Sequence, residues 1–361
     1  GYTDDYNGWN AKDSSGNITS SDHGTHVAGI AGAKGNNGIG VAGVNWNVQI
    51  MPVQGNSGVE SVAVEGYGYI LEMRARYNES EGEEGAFVVS ANSSWGTDFA
   101  QPANFPIWCA MYDSMGHYGI LNAAATNNSS NVNVDVQSDM PTACASDYLI
   151  AVTNTDKNDQ RVAAFGATTI DLGAPGTSII STVPGNQYSL KTGTSMASPH
   201  VAGAVALLFS LPCAALATDL KNDPAGTALR IKNFILAGVD TSASLADVTV
   251  SGGRLNVNQA LLNAATYYNC SVGIDESLAA NDILIFPNPA TDIINVVKSG
   301  SIKITDLHLS NVLGEEVMII DASDKFSIPF QIDVTALSPG IYFLNIESSD
   351  KQTASIKLLI H

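Results

Sequence analysis

Along roughly the first 270 residues, short apolar runs alternate with longer stretches of helical spacing. Val48–Val53, Ala86–Ala91, Gly119–Ala125 and Leu149–Thr153 are short and apolar, and each closes on a Gly, Asn or Ser turn signal. That is the pattern of strands buried on both faces. Between them, Val59–Tyr77 and Phe105–Tyr118 read as helices. Alternating strands and helices predict an α/β fold, a parallel sheet with helices on both faces. Reactive groups in such folds collect in the loops at the carboxyl ends of the strands.

The pattern changes after Cys270. Ser271–Asp282 is small, polar and aperiodic, and within it residues 273–282 read as a linker between a first domain, 1–272, and a second, 283–361. From Ile283 the chain becomes short strands with turns: Ile283–Phe286, Ile293–Val297, Ile302–Asp306, Glu316–Ile320, Phe326–Ile332, Ile341–Ile346 and Ser355–Ile360. Pro287-Asn288-Pro289, Leu313-Gly314-Glu315 and Ser338-Pro339-Gly340 separate them. About seven strands in so short a segment predict a small antiparallel β-sandwich.

Composition narrows the class. At 361 residues, 45% hydrophobic and 14% charged, the chain can bury a substantial core. Its net charge of −19, spread over both domains, argues against nucleic-acid binding, which needs clustered Lys and Arg. No run approaches the roughly 18 apolar residues of a membrane-spanning helix. An acidic, Gly- and Asn-rich chain suits an exported protein. The cysteines, Cys109, Cys144, Cys213 and Cys270, form no Cys-x-x-Cys pair, which sets zinc and redox motifs aside. Pairing neighbours along the chain gives Cys109–Cys144 and Cys213–Cys270, one of three pairings; four buried thiols are the alternative. The chain opens at Gly1-Tyr2-Thr3-Asp4-Asp5 without a signal-peptide pattern, as a processed or truncated product would.

Three segments carry candidate chemistry. In Asp22-His23-Gly24-Thr25-His26-Val27-Ala28-Gly29, His23 opens a tightly packed helix, where a lone histidine serves structure or proton transfer. In Gly193-Thr194-Ser195-Met196-Ala197-Ser198-Pro199-His200-Val201-Ala202-Gly203, Ser195 opens a second narrow helix, with Pro199 expected in its first turn. A serine there is a cap or a nucleophile whose N–H and helix dipole face developing negative charge. In Leu121-Asn122-Ala123-Ala124-Ala125-Thr126-Asn127-Asn128 an apolar strand ends in a carboxamide, a turn former or an oxyanion donor.

Together these segments resemble the His and Ser boxes of the subtilisin-like serine proteases, from about Gly8 to Leu262. The resemblance implies His23 as general base and Ser195 as nucleophile. It implies Asn127 and the Ser195 N–H as oxyanion donors, with His26, Ser198 and His200 as scaffold. Ser94, Trp95 and Gly96, in Ser93-Ser94-Trp95-Gly96, resemble the substrate-binding strand, and Ala124, Ala125 and Thr126 the opposite pocket wall. Thr126 departs from the family pattern, which usually has Gly there; its branched side chain would narrow the pocket. The implied activity is secreted or cell-surface endopeptidase hydrolysis of peptide or protein substrates through an acyl-enzyme. No cofactor is implied for the chemistry.

The family's triad also needs an Asp on a strand well before the His. Asp4, Asp5, Asp13 and Asp22 lie in the wrong segment, so the Asp is expected upstream of Gly1 or on a separate N-terminal fragment. Those acidic residues offer carboxylates to a structural calcium ion, although their spacing does not match an EF-hand. Without an Asp the other reading is an impaired scaffold serving as a structural or binding protein at the cell surface.

Residues 283–361 resemble the C-terminal sorting domain of the type IX secretion system of Bacteroidetes-type bacteria. The matching residues are Phe286-Pro287-Asn288-Pro289-Ala290-Thr291-Asp292, Leu313-Gly314-Glu315, Leu337-Ser338-Pro339-Gly340-Ile341-Tyr342-Phe343 and Ala354–Ile360. This implies the translocon or attachment machinery as partner and export through the periplasm, where disulfides form.

Overall fold

A computed structural model describes residues 2–55, 58–270, 283–298, 304–311, 314–320, 330–349 and 353–361. The chain divides into two compact units, Gly1–Cys270 and Ser271–His361. The linker expected at 273–282 lies outside the described residues.

In the first unit a six-stranded sheet runs in the order Asp240–Thr241, Gly253–Arg254, Leu172–Pro175, Leu149–Thr155, Leu121–Ala125, Ser90–Ser93. All its pairings are parallel except that between Asp240–Thr241 and Gly253–Arg254. The helices are α1 (Asp22–Gly32), α2 (Glu60–Glu79), α3 (Pro106–His117), α4 (Val134–Gln137), α5 (Thr194–Phe209), α6 (Ala214–Asn222), α7 (Pro224–Ala237) and α8 (Val257–Tyr268). Strand alternation sorts the side chains between two layers. Leu121 and Ala123, with Ile150 and Val152, pack with Val201, Val205 and Leu208 of α5 and with α7 and α8. Ala124, with Ala91 and Leu149, packs with Tyr67 and Ile70 of α2 and Trp108, Tyr112 and Met115 of α3. Both faces are therefore covered, as a run such as Leu149–Thr155, buried at every position, requires.

Two predicted strands are displaced. Of the Val48–Val53 run only Val53 pairs, in a strand Val53–Gln54 parallel to Trp9–Asn10, because Val48 and Ile50 are used to cover Gly32 at the end of α1. The Ala86–Ala91 run begins as a loop: Ala86 N–H donates to Met73 O, six residues before the end of α2, and the strand forms at Ser90–Ser93. The other two are found at Leu121–Ala125 and Leu149–Thr155, and α2 and α3 fall where helical spacing placed them.

α5 runs through the core because it is narrow. A Cβ on Gly203 would lie 2.8 Å from Ala31 O, so bare glycine permits α1 to pack directly on α5. Two disulfides brace the unit, Cys109–Cys144 with Cα atoms 5.3 Å apart and Cys213–Cys270 at 5.5 Å.

The second unit is antiparallel. One sheet orders Ile283–Phe286, Ile293–Lys298 and Phe330–Asp333; the other orders Glu316–Ile320, Ile304–Asn311, Gly340–Ser348 and Thr353–Ile360. Ile294, Val296 and Ile332 of the first share a core with Leu307, Leu309, Leu344, Ile346 and Leu358 of the second. Residues 302–303 and 326–329 of the predicted strands, and Leu313 of a predicted turn, lie outside the described residues.

Candidate active site

Ser195 is the second residue of α5, and the turn before it is built from main-chain contacts. Buried Gly193, at φ +157° and ψ 167°, opens the helix in a conformation that in practice admits only glycine. The Thr194 N–H donates to Asn128 Oδ1 at 2.9 Å, and Thr194 Oγ1 donates to Thr126 O at 2.6 Å. These bonds fasten the N-terminus of α5 to the loop leaving strand Leu121–Ala125. Asn127, expected as a functional residue, lies in that fastened loop.

The orientation of the Asn127 carboxamide is set by its neighbours. Its Oδ1 accepts the Ser129 N–H at 2.7 Å, so the acceptor is consumed and the NH2 is left as a donor. Its own N–H donates to Asp139 Oδ2 at 3.1 Å. An N–H pair from Asn127 and the start of α5 suits a developing oxyanion.

Ser195 exchanges two hydrogen bonds with Ser94. Ser195 Oγ donates to Ser94 O at 3.1 Å, and Ser94 Oγ donates to Ser195 O at 2.8 Å. Pro199 is the sixth residue of α5, one turn later than expected from sequence. Having no N–H, it cannot bond back to Ser195 O, and Ser94 supplies the missing donor. Asn92 Nδ2 holds Ser94 Oγ at 2.9 Å, while Asn92 Oδ1 accepts Ser198 Oγ at 2.6 Å. Ser198 is thus buried scaffold. His200 is another, its Nδ1 lying 2.8 Å from Met196 O.

His23 sits in the first turn of α1, with one side open to solvent and the other against the protein, and Ser21 Oγ caps the helix on Gly24 N–H at 3.0 Å. α1 is held by the hairpin Ile179–Val183 and Gln187–Lys191, since Ser181 Oγ donates to His26 O and Thr182 Oγ1 to Thr25 O. Buried His26 faces two carbonyls, Ile179 O at 3.1 Å and Ser189 O at 2.9 Å, which requires the proton on Nε2. The pKa of His23 is lowered, first by partial withdrawal from water and then by Lys191 and His26, with Asp22 opposing. The neutral, proton-accepting imidazole is favoured. Among the described residues no carboxylate hydrogen-bonds to His23, and no hydrogen bond joins it to Ser195. Asp22 pairs with Lys191, Asp13 with Asn10 at 3.2 Å, and Asp5 with the Tyr69 hydroxyl at 2.9 Å. Among the described residues no group of three His, Cys, Asp or Glu converges as a metal site.

The expected pocket walls are neighbours. Ser93 is in register with Ala124, so Ser94–Gly96 and Ala125–Thr126 continue from adjacent parallel strands. Trp95 stacks between Trp108, at 5.0 Å, and Tyr67, at 6.3 Å. The Tyr67 hydroxyl contacts Ser93 Oγ at 2.6 Å, which ties the strand to α2. Asp139, Asn92, Asn128, Thr194 and Lys191 were not legible as site residues. Only their folded positions single them out.

Comparison with known proteins decides the family. Residues 1–221, more than half of the chain, match the subtilase family. The chain belongs to the subtilases. Residues 284–361 match the secretion system C-terminal sorting domain, which puts this subtilase outside the cell or at its surface by type IX secretion. The thermophilic serine proteinase of Bacillus sp. (strain AK1) is 36% identical over 52% of this chain and 42% of its own length. The extracellular protease of Xanthomonas campestris is 35% identical over 56% of this chain and 36% of its own length. The chain therefore spans less than half the length of either relative. Subtilisin BL of Lederbergia lenta is 31% identical over 64% of this chain and 74% of its own length. Proteases from Pseudoalteromonas arctica share the fold at TM-score 0.51 and 24% identity, over 67% of this chain and 70% of that one.

Proposed function

We propose that this subtilase is a serine endopeptidase in which Ser195 is the nucleophile and His23 the general base. The arrangement at the start of α5 carries the reading: Ser195, backed by a helix N-terminus, is fastened through Thr194 to the loop that holds the Asn127 NH2 as a donor. In the reaction His23 takes the Ser195 proton as Oγ attacks the peptide carbonyl. The oxyanion rests on the Asn127 NH2 and the Ser195 N–H. His23 then protonates the leaving amine, and water hydrolyses the acyl-enzyme. The substrate backbone lies along Ser94–Gly96. Asp5, Asp13 and Asp22 are engaged elsewhere, and in this reading the carboxylate that orients His23 is supplied by another segment.

Fluorophosphonate labelling of the protein tests this. An adduct on Ser195 that is lost in Ser195→Ala is expected; a folded protein that takes up none is the impaired scaffold instead. The sorting domain carries the second half of the proposal, recognition by the type IX translocon or attachment machinery. Deleting residues 283–361 is expected to abolish export while the protease domain still folds, and normal secretion of the truncated chain overturns it.

A further inference from the structure

We propose that Asp139 sets the substrate preference of the Ser195 site, selecting peptide bonds that follow a lysine or arginine. The proposal rests on the protease reading and deepens it. Asp139 is buried, with only 2% of its surface exposed, and lies on a strand that touches both walls of the expected pocket. On one side, Thr97–Asp98 pairs antiparallel with Asp139–Met140, and a Cβ on Gly96 would meet Met140 O at 2.1 Å. On the other, Thr126 Oγ1 donates to Asp139 Oδ2 at 3.2 Å. The carboxylate therefore lies between the Ser94–Gly96 wall and the Ala124–Thr126 wall, beside the Asn127 corner.

Its two oxygens are used unequally. Oδ2 accepts three donors: Thr142 Oγ1 at 2.8 Å, the Asn127 N–H at 3.1 Å and Thr126 Oγ1. Oδ1 has no hydrogen-bond partner among the described residues. A carboxylate whose one oxygen is fixed by three donors and whose other has none attracts a cation that brings its own donors. Among the described residues no Lys or Arg pairs with Asp139, so the cation is left for the substrate to bring. A lysine or arginine side chain entering between the walls provides it. A second acid, exposed Asp98, stands close enough to act on Asp139 electrostatically and adds to the negative field. Burial raises the Asp139 carboxyl to about 6, which leaves it charged in neutral and alkaline solution. Thr126, expected on the pocket wall, supplies a hydroxyl that orients the acid.

Binding of benzamidinium and of its uncharged counterpart benzamide, measured by calorimetry on the full chain at about pH 8, tests the charge without requiring turnover. Benzamidinium is expected to bind at least about tenfold more tightly, with the advantage lost in Asp139→Asn. Equal affinities in the unmodified protein overturn the proposal, as does a preference that survives in folded Asp139→Asn. Should that variant fail to fold, protection of Ser195 from fluorophosphonate by peptide aldehydes ending in arginine or phenylalanine replaces it, and better protection by phenylalanine overturns the proposal. Labelling without discrimination would sink this inference alone. Discrimination without labelling would sink the protease reading and reduce the role of Asp139 to binding a cationic side chain.

Discussion

The hydroxyl of Ser94 donates to the carbonyl of Ser195, 2.8 Å away, in the place where Pro199 withholds the helical N–H. The return bond, Ser195 Oγ to Ser94 O, parks the hydroxyl proposed as nucleophile on the segment proposed to bind substrate. Ser94→Ala keeps that resting acceptor, which is main chain, but leaves Ser195 O without its donor and Asn92 Nδ2 without its acceptor. Unfolding by urea should show a loss of about 1–2 kcal/mol. Fluorophosphonate labelling of Ser195 should slow severalfold as the first turn of α5 loosens. Unchanged stability and labelling would mean that the Ser94 hydroxyl is dispensable.

Asn127 presents two groups with separate tasks, an oxygen that holds Ser129 N–H and an NH2 that remains to donate. Asn127→Asp preserves the first and removes the second. The variant is expected to fold normally and to lose at least about 10²–10³ in kcat with little change in KM, the cost of one such donor in a subtilisin, with repulsion between the carboxylate and the oxyanion adding to it. Steady-state kinetics on a peptide substrate, set beside a thermal melt, separates this outcome from a folding defect.

Lys191 and Asp22 form an ion pair at the foot of α1, and both act on His23. Lys191→Gln removes a cation that disfavours the imidazolium and frees Asp22, which favours it. Both changes raise the His23 pKa. The acid limb of the pH–rate profile should move to higher pH, and the His23 ring protons should titrate higher in NMR spectra. A midpoint that stays put would show that Lys191 and Asp22 do not set it.

How much of this the sequence could reveal depends on the range of each interaction. Leu149–Thr153 was legible because its apolar start, Leu149 to Val152, lies on a strand buried at every position; the polar continuation Asn154 and Thr155 hid how far the strand runs. His23, Ser195 and Asn127 were proposed from local segments that resemble the family's boxes, and the fold fastens the loop of Asn127 to the start of α5, where Ser195 sits. Val48–Val53 misled because its apolar side chains cover Gly32 on α1, and a covering segment has the composition of a strand without its partner. Pro199 misled by one turn because helix starts shift easily, and the shift gives the residue its purpose. Asp139 was invisible. Its role depends on Thr126, Asn127 and Thr142 converging on one oxygen, which no spacing announces.

The disulfides close loops of 35 and 57 residues, Cys109–Cys144 within the α3 layer and Cys213–Cys270 between the start of α6 and the end of α8. Chain-entropy arguments give about 4 kcal/mol for loops of this size. Reduction, or replacement of either pair by alanine, is expected to lower the unfolding free energy by up to about that amount. Denaturant titration of each double variant measures it. Cys109→Ala/Cys144→Ala should also slow Ser195 labelling, because Cys109 and Cys144 pack in the cluster that contains Trp108, on which Trp95 stacks.

Asp139 also makes stability depend on pH, with a sign opposite to that of a salt-bridged carboxylate. Its folded pKa is raised from 3.8 to about 6, so between those values the native state holds a proton that the unfolded chain has released. Stability from this group is therefore greatest in acid and falls as pH rises through that window. At about 1.4 kcal/mol per pKa unit the total change is about 3 kcal/mol. Asp139→Asn does not titrate there, so its stability relative to the unmodified protein should climb from about pH 4 to about pH 7 by that amount and then level off. Urea denaturation of both proteins at several pH values gives the difference curve. A flat curve would show that Asp139 stays ionised throughout, held by its three donors against the cost of burial.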